Sequence, residues 1–357
     1  MSIFETTPPK AAEAAPSLLE GFGDVAGEAA PTKMSKKRKS MIAALLIALV
    51  ILALLFVWYL INRKPLSELP GLNSNTMPHY QSSIYGTSHP VGVAANAAGD
   101  RIYVTQSDGA RVVAVFDRAG KAAGILKPPA STGKTHIPAY VAINPTTQDV
   151  YVSDRSTASI YIYDAKGEYL RTFAPKGNLG GKWNPLGLAF APDGTLYATD
   201  VRGESTNAHR VVVFGPDGTL LRSMGAPGTL AFPNGVVVDG QGNVLVSDSN
   251  NGRLVVFGQY GKVLATISRG VGEGDLGLPR GAAVDDAGRL FVADTSDHQI
   301  RVYMIDKSKP VPTYVGSFGE EGQLDGTFEY PNGVATDKRA HIYITDRENN
   351  RVQVWGY

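Results

Sequence analysis

Four of the six histidines, His89, His136, His209 and His298, fall in connecting segments that would gather at one end of a repeated structure. Imidazole is the commonest protein ligand for a divalent metal and the usual general acid or base near neutral pH, so these four are the candidates for a metal centre. No two of them stand at a local metal-motif spacing, and a centre built from all four needs their separate loops to fold inward. The competing role is that of a surface or turn-capping residue. Five aspartates, Asp154, Asp200, Asp248, Asp294 and Asp346, close successive strand-like runs. A ring of carboxylates suits calcium, but Arg253 and Arg351 follow five residues after theirs and Arg210 follows after a longer loop. Such regularity favours a structural role in which each carboxylate caps a tight turn and pairs with the arginine. The first unit has Gln106 at this place.

These residues are spaced by an internal repeat. Its anchors are Pro90, Pro138, Pro185, Pro233, Pro279 and Pro331, separated by 48, 47, 48, 46 and 52 residues, a period that belongs to propellers and arrays. The fourth unit is the plainest. Pro233–Asp239, Asn243–Asp248, Arg253–Phe257 and Lys262–Ile267 are four short β-branched and aromatic runs parted by turn dipeptides such as Gln241-Gly242 and Tyr260-Gly261. A four-stranded antiparallel meander cannot bury both faces alone, whereas six packed radially can. The expected fold is therefore an all-β, six-bladed β-propeller. Its last unit supplies three strands, and the run around 79–85 is expected to pair with Arg351–Trp355 and close the ring.

From Tyr80 to Tyr357 the chain resembles NHL-repeat proteins. The fourth and sixth units carry the resemblance best, through Phe232-Pro233-Asn234-Gly235 with Ser247–Arg253 and Tyr330-Pro331-Asn332-Gly333 with Thr345–Arg351. The resemblance implies the propeller; its members bind proteins, RNA or small ligands, and some catalyse reactions. The repeats are more distantly similar to propeller lactonases and amidating lyases, which hold a divalent ion at the channel mouth. That likeness implies the alternative reading, a metal-dependent hydrolase or lyase using His89, His136, His209 and His298.

Met41–Ile61 is an uncharged apolar run of 21 residues, roughly 30 Å as a helix and so one bilayer core. Its length and the ~40 residues before it distinguish it from a cleaved signal peptide. Lys33, Lys36, Lys37, Arg38 and Lys39 precede it and only Arg63 and Lys64 follow closely, which places the N-terminus in the cytoplasm and the propeller outside the cell membrane. The expected domains are a disordered tail over 1–40, a transmembrane helix over 41–61, a stalk over 62–78 and the propeller over 79–357.

After residue 64 the chain has 26 basic and 28 acidic residues, a balance that disfavours binding to a phosphate backbone. Zero cysteines excludes disulfides and cysteine-ligated metals. No cofactor is expected. The residues after the anchoring prolines, Val91, Ala139, Leu186, Asn234, Arg280 and Asn332, should surround the channel mouth, one half apolar and the other polar. Departures from the repeat should carry specificity: the insertion Val201–His209 in the third unit, the loop Lys127–His136, and Trp183 at the entry to the third unit. Trp183, Arg202, His209, Asn234, Arg280 and Asn332 are thus the candidate partner-binding residues of a binding or scaffolding module for a protein or small ligand. Trp183 has an alternative place in the packing between blades.

Overall fold

The computed structural model describes residues 35–62, 77–130, 133, 135–203, 208–268, 270 and 272–357. Two units are distinct, a helix and a β-propeller. The tail expected over 1–40 and the stalk expected over 62–78 fall mostly outside the described residues.

The helix runs Lys36–Asn62, so it starts before the apolar segment and takes in the basic cluster. Ser35 explains the start, because its hydroxyl accepts the Arg38 N–H at 3.3 Å and satisfies one of the free donors of the first turn. Lys36–Phe56 is long and apolar enough to cross a membrane, with mean hydropathy 2.6 and no burial against protein.

The propeller has six sheets of four antiparallel strands. Each sheet begins at an anchoring proline, as in Pro90–Ala95, Pro138–Ile143, Pro185–Phe190, Pro233–Val238, Pro279–Val284 and Pro331–Thr336, and these six strands are innermost. The reverse turns at the far face are built by side chains. Asp239, for example, accepts the N–H groups of Gln241 and Asn243 at 2.8 Å each. The ring closes as the sequence implies: His79–Ile84 pairs antiparallel with the last strand, with Tyr80 opposite Trp355 and Ile84 opposite Val352.

Six apolar cores lie between blades rather than within them. The core between blades five and six gathers Phe291, Ile300, Val302, Phe318, Phe328, Ile344 and Trp355, and Tyr80 and Met77 pack onto it from the N-terminal strand. An aromatic residue near the end of each third strand, Phe116, Tyr163, Phe214, Phe257, Tyr303 and Trp355, is buried. Both faces of the second and third strands are covered by neighbouring blades, so burial runs along them without alternating, while the outermost strands are largely exposed.

Close to the axis the blades are joined by hydroxyls. Thr105 accepts the Gly92 N–H at 2.7 Å and donates to the Ala139 carbonyl of the next blade at 2.7 Å. Ser153 accepts from Tyr140 N–H at 3.0 Å and donates to Leu186 at 2.7 Å. Thr345 accepts from Gly333 N–H at 2.6 Å and donates to Val91 at 2.9 Å, which joins blade six to blade one. The strands approach so tightly there that a Cβ on Gly333 would lie 2.5 Å from the Val91 carbonyl oxygen.

Gly333→Ala should therefore push the first and last blades apart and cost about 1–3 kcal/mol in urea unfolding of the full-length protein. Gly240→Ala, where nothing lies within 4 Å of the new methyl group, should cost much less.

Candidate binding site at the channel mouth

The starts of the innermost strands and the loops between second and third strands share one face. Its framework is the aspartate series. All five carboxylates are buried. Each accepts a backbone N–H from the segment entering its own blade: Ile137 to Asp154, Asn184 to Asp200, Ala231 to Asp248, Leu278 to Asp294 and Glu329 to Asp346. Arginine pairs follow, Arg210 with Asp200 at 3.1 Å, Arg253 with Asp248 at 2.7 Å and Arg351 with Asp346 at 2.7 Å. Arg301 joins them by reaching Asp294 at 3.4 Å; its seven-residue separation matches neither the five residues before Arg253 and Arg351 nor the ten before Arg210. Burial pushes the Asp294 carboxyl above its ordinary value, against the N–H groups of Gly277 and Leu278 that favour its charge.

The four histidines are held by different neighbours. His89 lies between Asp108 at 3.6 Å and Glu348 at 3.4 Å, while His136 takes the arginine's place beside Asp154 at 3.0 Å. His209 Nδ1 accepts the Phe232 N–H at 3.0 Å, and His298 Nδ1 accepts that of Tyr330 at 3.3 Å. Both therefore steady the residue before the next anchoring proline. His89, Phe232 and Tyr330, which occupy that place in three blades, have φ of 42°, 54° and 54°, a left-handed backbone that needs such support. Among the described residues no three histidine, aspartate or glutamate side chains gather as a metal site.

The residues following the prolines do divide into two halves. Val91, Ala139 and Leu186 form an apolar cluster with Tyr140, Val201 and Phe232. Opposite them, Asn234 is buried and donates from Nδ2 to the Ser249 hydroxyl at 2.7 Å. Asn332, also buried, accepts the Tyr140 hydroxyl at 3.1 Å. Arg280 is half-buried, with its Nε enclosed and unpartnered.

Tyr140 was not singled out from the sequence, although a signal was present: five units read Pro-x-Gly and the second reads Pro138-Ala139-Tyr140. Its ring spans from blade two toward blade six. Burial pushes the phenol up to about 12, with the guanidinium groups of Arg280 and Arg155 pulling the other way. The channel beside it, walled by Tyr140, Gly187, Gly235, Gly281 and Gly333, encloses about 40 Å³. That is room for a few waters, so the mouth and not the bore offers space to a larger ligand.

Trp183 takes its packing role, with its ring centroid 5.5 Å from that of Phe214 and 6.1 Å from that of Phe173. Arg202 donates to the carbonyls of Leu179, Gly180 and Lys182 at 3.2 Å each and so holds that loop. Residues 204–207 of the insertion, and 131, 132 and 134 of the loop between blades one and two, lie outside the described residues. What is described of the latter loop borders an open recess of about 340 Å³ with Asp108, Arg111, Pro128, Thr135 and His136.

The family pattern for the NHL repeat matches residues 230–257, 276–303 and 328–355, the first three strands of blades four, five and six. This propeller carries NHL repeats. Protein brain tumor of Drosophila melanogaster is 29% identical over 129 residues, 36% of this chain and 12% of that protein. The E3 ubiquitin-protein ligase TRIM71 of Bos taurus is 47% identical over 49 residues, 12% of this chain and 6% of that one. The matched stretches thus span a small part of these relatives. Among solved structures, a streptogramin B lyase covers 79% of this chain and 99% of its own length at TM-score 0.56 and 13% identity. A Bacteroides thetaiotaomicron protein of unknown function covers 79% and 72% at TM-score 0.57 and 16% identity. At such identities the likeness is one of fold. Blades one to three, outside the NHL match, hold Tyr140, Trp183 and the insertion.

The raised phenol gives a test of the mouth. A folded-state value above the ordinary 10.0 means that the Tyr140 contribution to stability is complete below pH 10 and is lost as pH rises through about 12. Tyr140→Phe should lose about 1 kcal/mol at neutral pH, flatten the alkaline fall in stability, and remove one late-ionising phenol from a tyrosinate absorbance titration.

Proposed function

We propose that this chain is a membrane-tethered binding or scaffolding module, whose NHL propeller recognises a protein partner through its channel-mouth face outside the cell membrane. One observation carries the reading: the closed ring presents on one face partly exposed apolar groups beside arginines that no carboxylate holds. Phe232, Val91 and the exposed Tyr330 offer apolar contact, while Arg280 and Arg155 have neither hydrogen-bond nor ion-pair partners for their side chains among the described residues. Rigid presentation of aromatic and arginine side chains is what stable recognition needs, because little entropy is lost on binding.

The tether rests on the apolar helix. Leu45, Leu46, Leu49, Leu52 and Leu54 are each at least 60% exposed, a surface that lipid covers at far lower cost than water. Basic residues at its start support an N-terminus on the cytoplasmic side, with the tail 1–40 inside, the span 41–61, a stalk 62–78 and the propeller 79–357 outside. The near-balanced charge after residue 64 favours a protein over a nucleic acid partner.

The absence of native cysteine makes topology directly measurable. On intact cells, a membrane-impermeant maleimide should label Ser308→Cys and leave Ser17→Cys unlabelled until lysis; the reverse pattern would reject the orientation. A photo-crosslinking amino acid at Tyr330, on the mouth face, should give a discrete protein adduct. The same group at Tyr260, 83% exposed in a turn of the opposite face, should not, and adducts confined to Tyr260 would overturn the assignment of the face.

A further inference from the structure

Most arginines of the ring are already used. Arg202, Arg210, Arg253, Arg289, Arg301 and Arg351 each hold a carboxylate, and Arg118 holds the carbonyls of Ala98 and Gly99. Unpaired arginines such as Arg101 and Arg171 are exposed and solvated. Arg280 fits neither group, because its Nε is enclosed and has no acceptor; Arg222 also has an unmatched Nε, but it lies on the outermost strand Leu220–Met224 and its Nη2 donates to the Tyr197 hydroxyl. Leaving such a donor unmatched costs about 1–3 kcal/mol, more where it carries charge. A second enclosed donor belongs to the same face. His209 is 4% exposed, and since its Nδ1 accepts the Phe232 N–H, the neutral ring carries its proton on Nε2, which has no partner. Phe232 links this imidazole to the apolar cluster that contains Tyr140, and Tyr140 is bound in turn to Asn332.

Asn184 Oδ1 and His89 Nδ1, at the entries to blades three and one, are also enclosed and unmatched, but Arg280 Nε and His209 Nε2 form a set of donors. The Arg155 guanidinium acts with that of Arg280 on Tyr140, and Val91 and Phe232 pack with Tyr140 in the apolar cluster. Acidic groups on this face are engaged elsewhere: Glu348 by Arg347 at 2.6 Å and Asp297 by Arg301. An anionic acceptor flanked by apolar groups completes this set. A guanidinium meets a carboxylate through a planar fork of paired N–H donors. We infer that the channel mouth is a carboxylate-recognition subsite, in which Arg280, supported by Arg155 and His209, receives an acidic residue of a peptide whose neighbouring apolar side chain lies on Val91 and Phe232. The inference rests on the binding-module reading and gives its partner a chemistry.

The test uses the full-length protein in mild detergent, a fluorescent peptide of alternating leucine and glutamate, and its leucine–glutamine counterpart, read by anisotropy. The glutamate peptide should bind, the glutamine peptide should bind about tenfold more weakly or less, and Arg280→Gln should weaken the glutamate peptide by about tenfold or more. Arg171→Gln on an outer strand should leave binding unchanged. Thermal unfolding separates lost recognition from lost folding, since Arg280→Gln removes an unmatched donor and should keep the melting temperature. Equal binding of both peptides, insensitivity to Arg280→Gln, or stronger binding of a single-stranded oligonucleotide would overturn the inference. Failure of the glutamate peptide to bind while the Tyr330 crosslink persists would reject the carboxylate subsite alone; loss of that crosslink would reject the binding-module reading beneath it.

Discussion

Around the axis, each innermost strand runs so close to the next blade that a Cβ at Gly187, Gly281 or Gly333 would fall 2.0, 2.4 or 2.5 Å from a neighbouring carbonyl oxygen. That approach lets the hydroxyls of Thr105, Ser153 and Thr345 bridge adjacent blades, and it brings the apolar faces into six separate cores. With the inner position reserved for glycine, side chains with chemistry to offer have to come from one residue earlier, after the anchoring proline, or from the loops above. The polar and apolar halves of the mouth are therefore a consequence of how the ring packs. Blade two is the exception, and Tyr140 uses the freed position to span the bore.

Repetition made the ring legible in the sequence. A proline, a Gly-Val-rich strand and a terminal aspartate recur in register, and the three-strand last unit points to its missing partner near Tyr80. The aspartate–arginine pairs were legible for the same reason wherever the spacing held, and Arg301 was not because it approaches Asp294 from two residues further along its strand. His209 and His298 show the opposite limit. As residue types they suggest metal ligands, yet each supports the left-handed backbone of Phe232 or Tyr330 in the following blade. Which residue an imidazole faces depends on how two blades meet, and no local pattern records it.

Tyr140 and Arg280 extend that lesson. Both were visible in the sequence, one as a departure from Pro-x-Gly and the other as a post-proline residue. Their pairing state was not, because it depends on atoms contributed from blades two, five and six. The ring supplies acceptors generously elsewhere: Asp346 alone receives Arg351, Gln353 and Asn349. Among the described residues two enclosed guanidinium nitrogens are left without one, Nε of Arg280 and Nε of Arg222, and Arg222 still reaches the Tyr197 hydroxyl through its Nη2.

The distribution of departures gives the molecule a direction. Blades four to six follow the NHL pattern and supply the matched framework, whereas blades one to three hold Tyr140, Trp183 and the two long loops. Trp183 packs against Phe214, and Arg202 holds the carbonyls of Leu179, Gly180 and Lys182, so both shape the segment 179–182. Arg280 reaches the mouth from the regular half and Arg155 from the divergent half, and both act on the same phenol. A ligand bound between them would touch both halves of the ring. Recognition would then depend on the ring closure at Tyr80 and Trp355 that holds those halves together.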